Sequence, residues 1–328
     1  MKNKHSKFRL LPGITLVCVT SFPSSVLANN FYEFSVYEGS GSEYDVASYG
    51  NTIYYGGGTS VYSIDVAVAD MSKKDEPRYL ADGITANPNY QTRLFSNSQS
   101  YNLSGAPSRL RAASVGEMWV DANYIYTGAS NESIYAFNKT TGSYVSSASK
   151  IYSSGLPYAS ADWGSPLSFL SYGGGKWWAG GENQSVYSSI DGSNWNFEFN
   201  SIPTLGGSHL DGLEWVNGNI WLSDMTSNYM MRWGFGDNPE TLATETGWTQ
   251  WNIFDYTEEL GGAAKAVEGM GFGALGHFWA GSGSAIYEVG GGDIGQYTDN
   301  TIPEPATLLL LGSGLLGMVA IRRRKFKH

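Results

Sequence analysis

The chain has 328 residues, among them 42 glycines, 22 tyrosines and 11 tryptophans, and this stock of turn-forming and aromatic residues favours strands and tight turns over helices. A formal net charge of −10 argues against a nucleic-acid partner, whose phosphates require clustered Lys and Arg. A single cysteine excludes an intramolecular disulfide.

In chain order, residues 1–28 read as a signal peptide. Lys2, Lys4, Lys7 and Arg9 form a basic start, Leu10 to Val19 is an apolar stretch broken by Pro12 and Gly13, and Val26-Leu27-Ala28 is a small-x-small-like cleavage site. Export through the Sec translocon and cleavage after Ala28 are expected. Cys18 falls inside this segment, after Thr15-Leu16-Val17, a poor lipoprotein box, so the mature chain has no thiol for metal binding or catalysis. The first 28 residues hold 4 of the 20 basic residues, the tail from Ala306 holds 5, and neither holds an acid. Residues 29–305 therefore carry 11 basic and 30 acidic side chains, a net charge near −19, compatible with cation binding or with plain solubility.

Residues 29–300 read as one all-β domain. Five segments have the form strand, small-residue turn, strand: TIYYGGGTSVYSID from Thr52, YIYTGASNESIYAFN from Tyr124, KWWAGGENQSVYSSID from Lys176, NIWLSDMTSNYMMRW from Asn219 and HFWAGSGSAIYEV from His277. Aligning the aromatic near each start gives Tyr54, Tyr126, Trp178, Trp221 and Trp279, at steps of 72, 52, 43 and 58 residues. Each unit has a further strand upstream, and a fourth often follows, as at Trp195 to Phe199 and Trp248 to Ile253. Four short antiparallel strands repeated at roughly 50 residues predict a β-propeller, with the aligned aromatics packing between blades. We expect five blades; the polar stretch from Asp70 to Ser108 leaves room for a degenerate sixth or a large loop. Phe31 to Tyr37 is expected to pair with the last blade and close the ring, since an open ring exposes sheet edges.

Asp211-Gly212-Leu213-x-Trp215 and Glu268-Gly269-Met270-x-Phe272 align with each other, and equivalent strand starts lie near Asp45 and Asp162. If these strands are innermost, their carboxylates gather at one mouth of the central channel, with Asp224 near by. This acid-Gly-apolar pattern, followed by NIWLSDMTSN, resembles senescence-marker/gluconolactonase propellers over about 30 residues. The resemblance implies a divalent ion over the channel, with Asp45, Asp211, Asp224 and Glu268 as ligands. Ca²⁺ suits such hard oxygen ligands, and a lactonase would use it as a Lewis acid. The alternative is that these acids accept backbone N–H bonds in turns and hold no cofactor.

Ser189-Ile190-Asp191-Gly192-Ser193-Asn194-Trp195 resembles an Asp-box of sialidase-like propellers, which implies an Asp that caps a hairpin and a Trp packed into the blade. Sialidase chemistry needs an arginine cluster, and Arg78, Arg93, Arg109, Arg111 and Arg232 form no such constellation, several lying in loop-like sequence. His209 and His277, in different units, read as turn or rim histidines, too few for a zinc site. The Trp and Tyr excess invites stacking on sugar rings, but Trp119, Trp178, Trp215, Trp221 and Trp279 fall at packing positions, leaving Trp163 as a better ligand candidate.

The last 28 residues, from Thr301, end the chain with Pro303-Glu304-Pro305, the uncharged run Ala306 to Ile321, and the basic cluster Arg322, Arg323, Arg324, Lys325 and Lys327. As a helix the run spans roughly 24 Å, just short of the ~30 Å hydrocarbon core, and the cations should stay cytoplasmic. This triplet, short apolar helix and Arg cluster resemble the PEP-CTERM sorting signal of Gram-negative bacteria. That resemblance implies an exosortase partner that removes the tail, with delivery of the passenger to the envelope, outer surface or extracellular matrix. The expected function is a binding or structural module, in contact with polysaccharide or matrix proteins and held to the membrane by the tail before processing. A Ca²⁺-dependent hydrolase or lactonase working at the acidic channel mouth is the alternative, and a permanently anchored propeller a third.

Overall fold

In the computed structural model, the described residues are 32–290, apart from 39–44, 58, 81–83, 111–117, 157–166, 168, 182–184, 202–209, 225–228, 238–245 and 256–266. The expected cleavage site, the sorting tail, His209, Asp162 and Trp163 lie outside them.

The described strands form five sheets, each a blade built mainly from consecutive antiparallel strands. Blade 1 contains β2 (Asp45–Tyr49), β3 (Thr52–Gly57), β4 (Ser60–Ala67) and β5 (Leu94–Asn102). Blade 2 has β6 (Met118–Val120), β7 (Tyr124–Gly128) and β8 (Ile134–Asn138); bridges from Phe137 to Tyr144 and from Ile134 to Lys150 replace a regular fourth strand. Blade 3 is β9 (Phe169–Gly173), β10 (Lys176–Gly180), β11 (Ser185–Ser189) and β12 (Asn196–Asn200). Blade 4 is β13 (Leu210–Val216), β14 (Asn219–Asp224), β15 (Tyr229–Phe235) and β16 (Trp248–Asp255). Blade 5 joins β17 (Gly269–Phe272), β18 (Phe278–Ser282) and β19 (Ala285–Gly290) to β1 (Tyr32–Glu38), with Tyr32 opposite Gly290 and Glu38 opposite Ala285. The chain is thus a five-bladed β-propeller whose outermost last strand comes from its N-terminal end.

The inner strands β2, β6, β9, β13 and β17 each touch the next around the axis. Between the blades lie five apolar clusters, and each holds one of the aligned aromatics. Tyr54 packs toward blade 2, Tyr126 toward blade 3, Trp178 toward blade 4, Trp221 toward blade 5 and Trp279 toward blade 1. Burying such a ring stabilises by roughly 2–3 kcal/mol, which accounts for the aromatic at every turn of the repeat. Trp279 also donates its indole N–H to the Ala274 carbonyl at 2.9 Å.

The long first interval holds no sixth blade among the described residues. It is an insertion between β4 and β5, with a one-turn 3-10 helix at Met71–Lys73 capped by Asp70, and it ends in β5, the outer strand of blade 1. The Asp-box is structural, as its resemblance implied. Asp191 accepts the backbone N–H groups of Ser193 and Asn194, both at 2.8 Å, while Trp195 is buried at the junction of blades 2 and 3. Those hydrogen bonds hold the Asp191 carboxyl well below its ordinary range.

Candidate functional site

The axis is the first place to look, because the inner strands bring five blades to one line. It is narrow. A Cβ added at Gly271 of β17 would stand 2.7 Å from the Ala47 Cα of β2, so these strands approach backbone to backbone only because residue 271 is glycine. Gly212 of β13 does the same service beside Met270 and the Ser223 hydroxyl. The glycines of the acid-Gly-apolar pattern and its neighbourhood therefore serve close packing at the axis.

The structure places Asp45 at the start of β2, Asp211 near the start of β13, Asp224 at the end of β14 opposite Leu210, and Glu268 just before β17. All four lie at the end where inner strands begin. Asp45, Asp211 and Asp224 are buried, and Glu268 is half-buried. Burial pushes the Glu268 carboxyl up to about 7. Among the described residues, no group of three or more His, Cys, Asp or Glu side chains is placed to hold a metal ion.

Sequence reasoning missed a fifth axial acid. Glu214 of β13 stands opposite Trp221, and in the neighbouring blade Ser171 of β9 stands opposite Trp178. The Ser171 hydroxyl accepts the Trp215 N–H at 3.1 Å and donates to the Glu214 carboxyl. Burial, reinforced by the charge of Asp45, holds Glu214 well above the ordinary carboxylate range against the pull of that hydrogen bond. The only sequence signal was its place three residues after Asp211.

At the opposite end, where the inner hairpins turn, the side chains are aromatic. Tyr49 and Tyr172 are 43% and 38% exposed, and Trp119, Tyr124 and Trp215 are half-buried. Trp119 lies 5.2 Å from Tyr172 and 5.3 Å from Trp177, joining blades 2 and 3. Trp215 stacks on Trp178 at 4.8 Å and covers Gly173 and Gly174. Lys139 sits 4.4 Å from the Tyr49 ring, and Lys176 reaches both the Trp178 ring and Glu198.

The strongest polar constellation was not legible at all. His277, expected in a turn or at the rim, is fully buried, and Arg93, expected in a loop, is buried beside it. The Glu288 carboxylate accepts from the Ser35 hydroxyl at 2.7 Å and from Arg93 Nε at 2.7 Å, and its other oxygen is 2.7 Å from His277 Nδ1. His277 Nε2 is 2.9 Å from Asp75. Arg93 completes its bonding to the Gln91 and Lys74 carbonyls. The cluster ties β1, β19, the β17–β18 connection and the blade 1 insertion together; it is a clasp, filled by its own partners. The His277 hydrogen bond, with help from Lys74, lowers the Asp75 carboxyl to about 2. Burial works to raise Glu288, but its bonds to His277 and Arg93 outweigh that and leave it lowered.

Residues 301–325 match the PEP-CTERM protein-sorting motif. No curated protein matches the chain. Solved structures similar to it include a glutaminyl cyclase of Myxococcus xanthus, at 12% identity over 79% of this chain and 95% of that one, with a TM-score of 0.48. A streptogramin B lyase shares 12% identity over 79% of this chain and 96% of that one, with a TM-score of 0.40. BamB from Moraxella catarrhalis shares 11% identity over 74% and 57% of the two chains, with a TM-score of 0.32. The sorting motif marks an exported protein that an exosortase processes.

Proposed function

We propose that the propeller works outside the cytoplasm as a non-catalytic binding or structural module of the cell surface or extracellular matrix. The observation that carries this reading is the order of parts: a closed ring of blades followed directly by the sorting motif at 301–325, so that what is delivered is the ring. The polar groups fit the same reading. The clasp around Glu288 is satisfied internally, and Glu214 accepts a hydrogen bond from the Ser171 hydroxyl of the neighbouring blade. On this reading the tail enters the membrane through Ala306 to Ile321 and is cut near Pro303 to Pro305.

Intact mass of the protein recovered from cells and medium, with and without the exosortase, tests the sorting. A mass ending near Pro305 that is lost without the enzyme supports it; retention of the Arg322 to His328 end in both strains overturns it. Turnover of a lactone or ester by the purified protein, abolished by Glu214→Gln or Asp45→Asn, would replace the non-catalytic reading with an enzymatic one.

A further inference from the structure

The two ends of the propeller differ in chemistry, and the chain leaves from one of them. The end where inner strands begin carries Asp45, Asp211, Asp224 and Glu268. The hairpin-turn end carries Tyr49, Trp119, Tyr124, Tyr172 and Trp215, with Lys139 and Lys176 among the rings; Asp65, Asp121, Glu198, Asp191 and Asp237, and the blade 1 insertion with Asp70, Asp75 and Glu76, lie on the same side, so the rings are set among charges of both signs. Tyr32 pairs with Gly290, and Gly290 lies against His277, the residue that ends the β17–β18 turn. Both the N-terminal strand and the last strand therefore meet the rest of the chain at the hairpin-turn end.

Fifteen residues separate Gly290 from Ala306, where the apolar run begins. Fully extended they reach about 50 Å, and as a relaxed coil about 20 Å. A tail lodged in the bilayer thus holds this end, from which the chain leaves the ring, closer to the lipid than the end that carries Asp45 and Asp211. Tyrosine and tryptophan rings, apolar in body and polar at one edge, favour the headgroup zone over either water or hydrocarbon.

We propose that, before the tail is cut, the hairpin-turn end of blades 1 to 4 rests on the membrane surface, with Tyr49, Trp119, Tyr172 and Trp215 in the lipid headgroup zone. This rests on the reading that the tail inserts. The surface is held there by the tether, and cutting the tail frees it.

The mature chain lacks cysteine, so a full-length Cys18→Ser protein accepts single reporters. Asn51→Cys lies in the exposed β2–β3 turn at the aromatic end, and Ser284→Cys in the exposed β18–β19 turn at the other. Each is labelled with an environment-sensitive fluorophore and mixed with phosphatidylcholine vesicles containing headgroup-proximal spin-labelled lipid. Quenching at position 51 at least threefold stronger than at 284, reduced when Trp119→Ala and Tyr172→Ala are added, is the expected result. Protein that sediments with vesicles but is quenched equally and weakly at both positions overturns the docking while leaving the inserted tail intact. Protein that fails to sediment overturns the tail reading and the docking with it. A label at position 51 that ignores lipid and responds to added polysaccharide makes this end a glycan surface, which also overturns the proposal.

Discussion

Phe34 and His277 lie face to face, ring centroids 4.2 Å apart and planes within 10°, so a side chain of the first strand roofs the imidazole of the last blade. The Arg93 guanidinium also lies over the Phe34 ring, 5.2 Å from its centroid, and the Glu288 carboxylate binds both cation and imidazole. An aromatic roof over a buried ionic cluster excludes water, which strengthens each bond inside and raises the cost of breaking any one of them.

Removing the acid at the centre should therefore be severe. Glu288→Ala leaves Arg93 and the imidazole buried without their carboxylate, and the expected loss is about 3–5 kcal/mol, a large share of a domain's usual margin. Urea denaturation of the mature protein measures it; a loss below 1 kcal/mol would show that the clasp is dispensable.

Asp75 gives the clasp a pH signature. Its carboxyl is lowered from 3.8 to about 2, so its stabilising contribution is present above about 4 and disappears as the pH falls to about 2. Asp75→Asn should be less stable than the wild type at neutral pH and indistinguishable from it near pH 2. Melting temperatures across that window are the check.

Glu268 has the opposite sign. Burial raises its carboxyl from 4.5 to about 7, so the folded state holds the proton better than the unfolded chain, and stability declines as the pH rises from about 4.5 to about 7. Glu268→Gln should remove that part of the slope and match or exceed the wild type at pH 8. A steeper decline in the variant would contradict the assignment.

The close approach of β17 to β2 predicts an asymmetry between glycines. Gly271→Ala forces a methyl group to within 2.8 Å of the Ala47 Cα and carbonyl carbon, backbone that cannot swing aside, and should cost about 3 kcal/mol. Gly218→Ala meets open space and bears only the strain of its positive φ, about 1 kcal/mol. Equilibrium unfolding of the two variants side by side decides it.

Packing predicts a second contrast. Trp279 is fully buried between blades 5 and 1, and Trp279→Ala should cost about 3–5 kcal/mol. Tyr172, with 38% of its surface exposed, should cost under about 1 kcal/mol when changed to alanine. Thermal melts of both variants test whether the repeat aromatics and the rim aromatics belong to different classes.

The propeller was legible because its repeat rests on local pattern. Tyr54, Tyr126, Trp178, Trp221 and Trp279 each sit at the same place in a hairpin, and a hairpin announces itself within about 15 residues. β5 did not announce itself. As an outer strand it is largely exposed along its length, so its sequence, LFSNSQSYN, mostly lacks the apolar alternation that marks a half-buried strand. The clasp was illegible for another reason: Arg93 meets Glu288 across 195 residues and Asp75 meets His277 across 202, and nothing in the neighbourhood of either residue names its partner. Ser171 and Glu214 escaped notice likewise, since register around a closed ring, and not spacing along the chain, makes them neighbours.

The pairing of β1 with β19 also sets a timetable. The strand that leaves the ribosome first must wait for the one made last, and the bond from Ser35 to Glu288 spans 253 residues. The strands of blades 1 to 4 are contributed in chain order, but blade 5 has only β1 of its four strands until nearly the whole ring has been made. A stalled or truncated chain would leave β1 an unpaired edge and Phe34 uncovered, open to proteases. Ring closure thus comes late in synthesis, shortly before the sorting motif at 301–325.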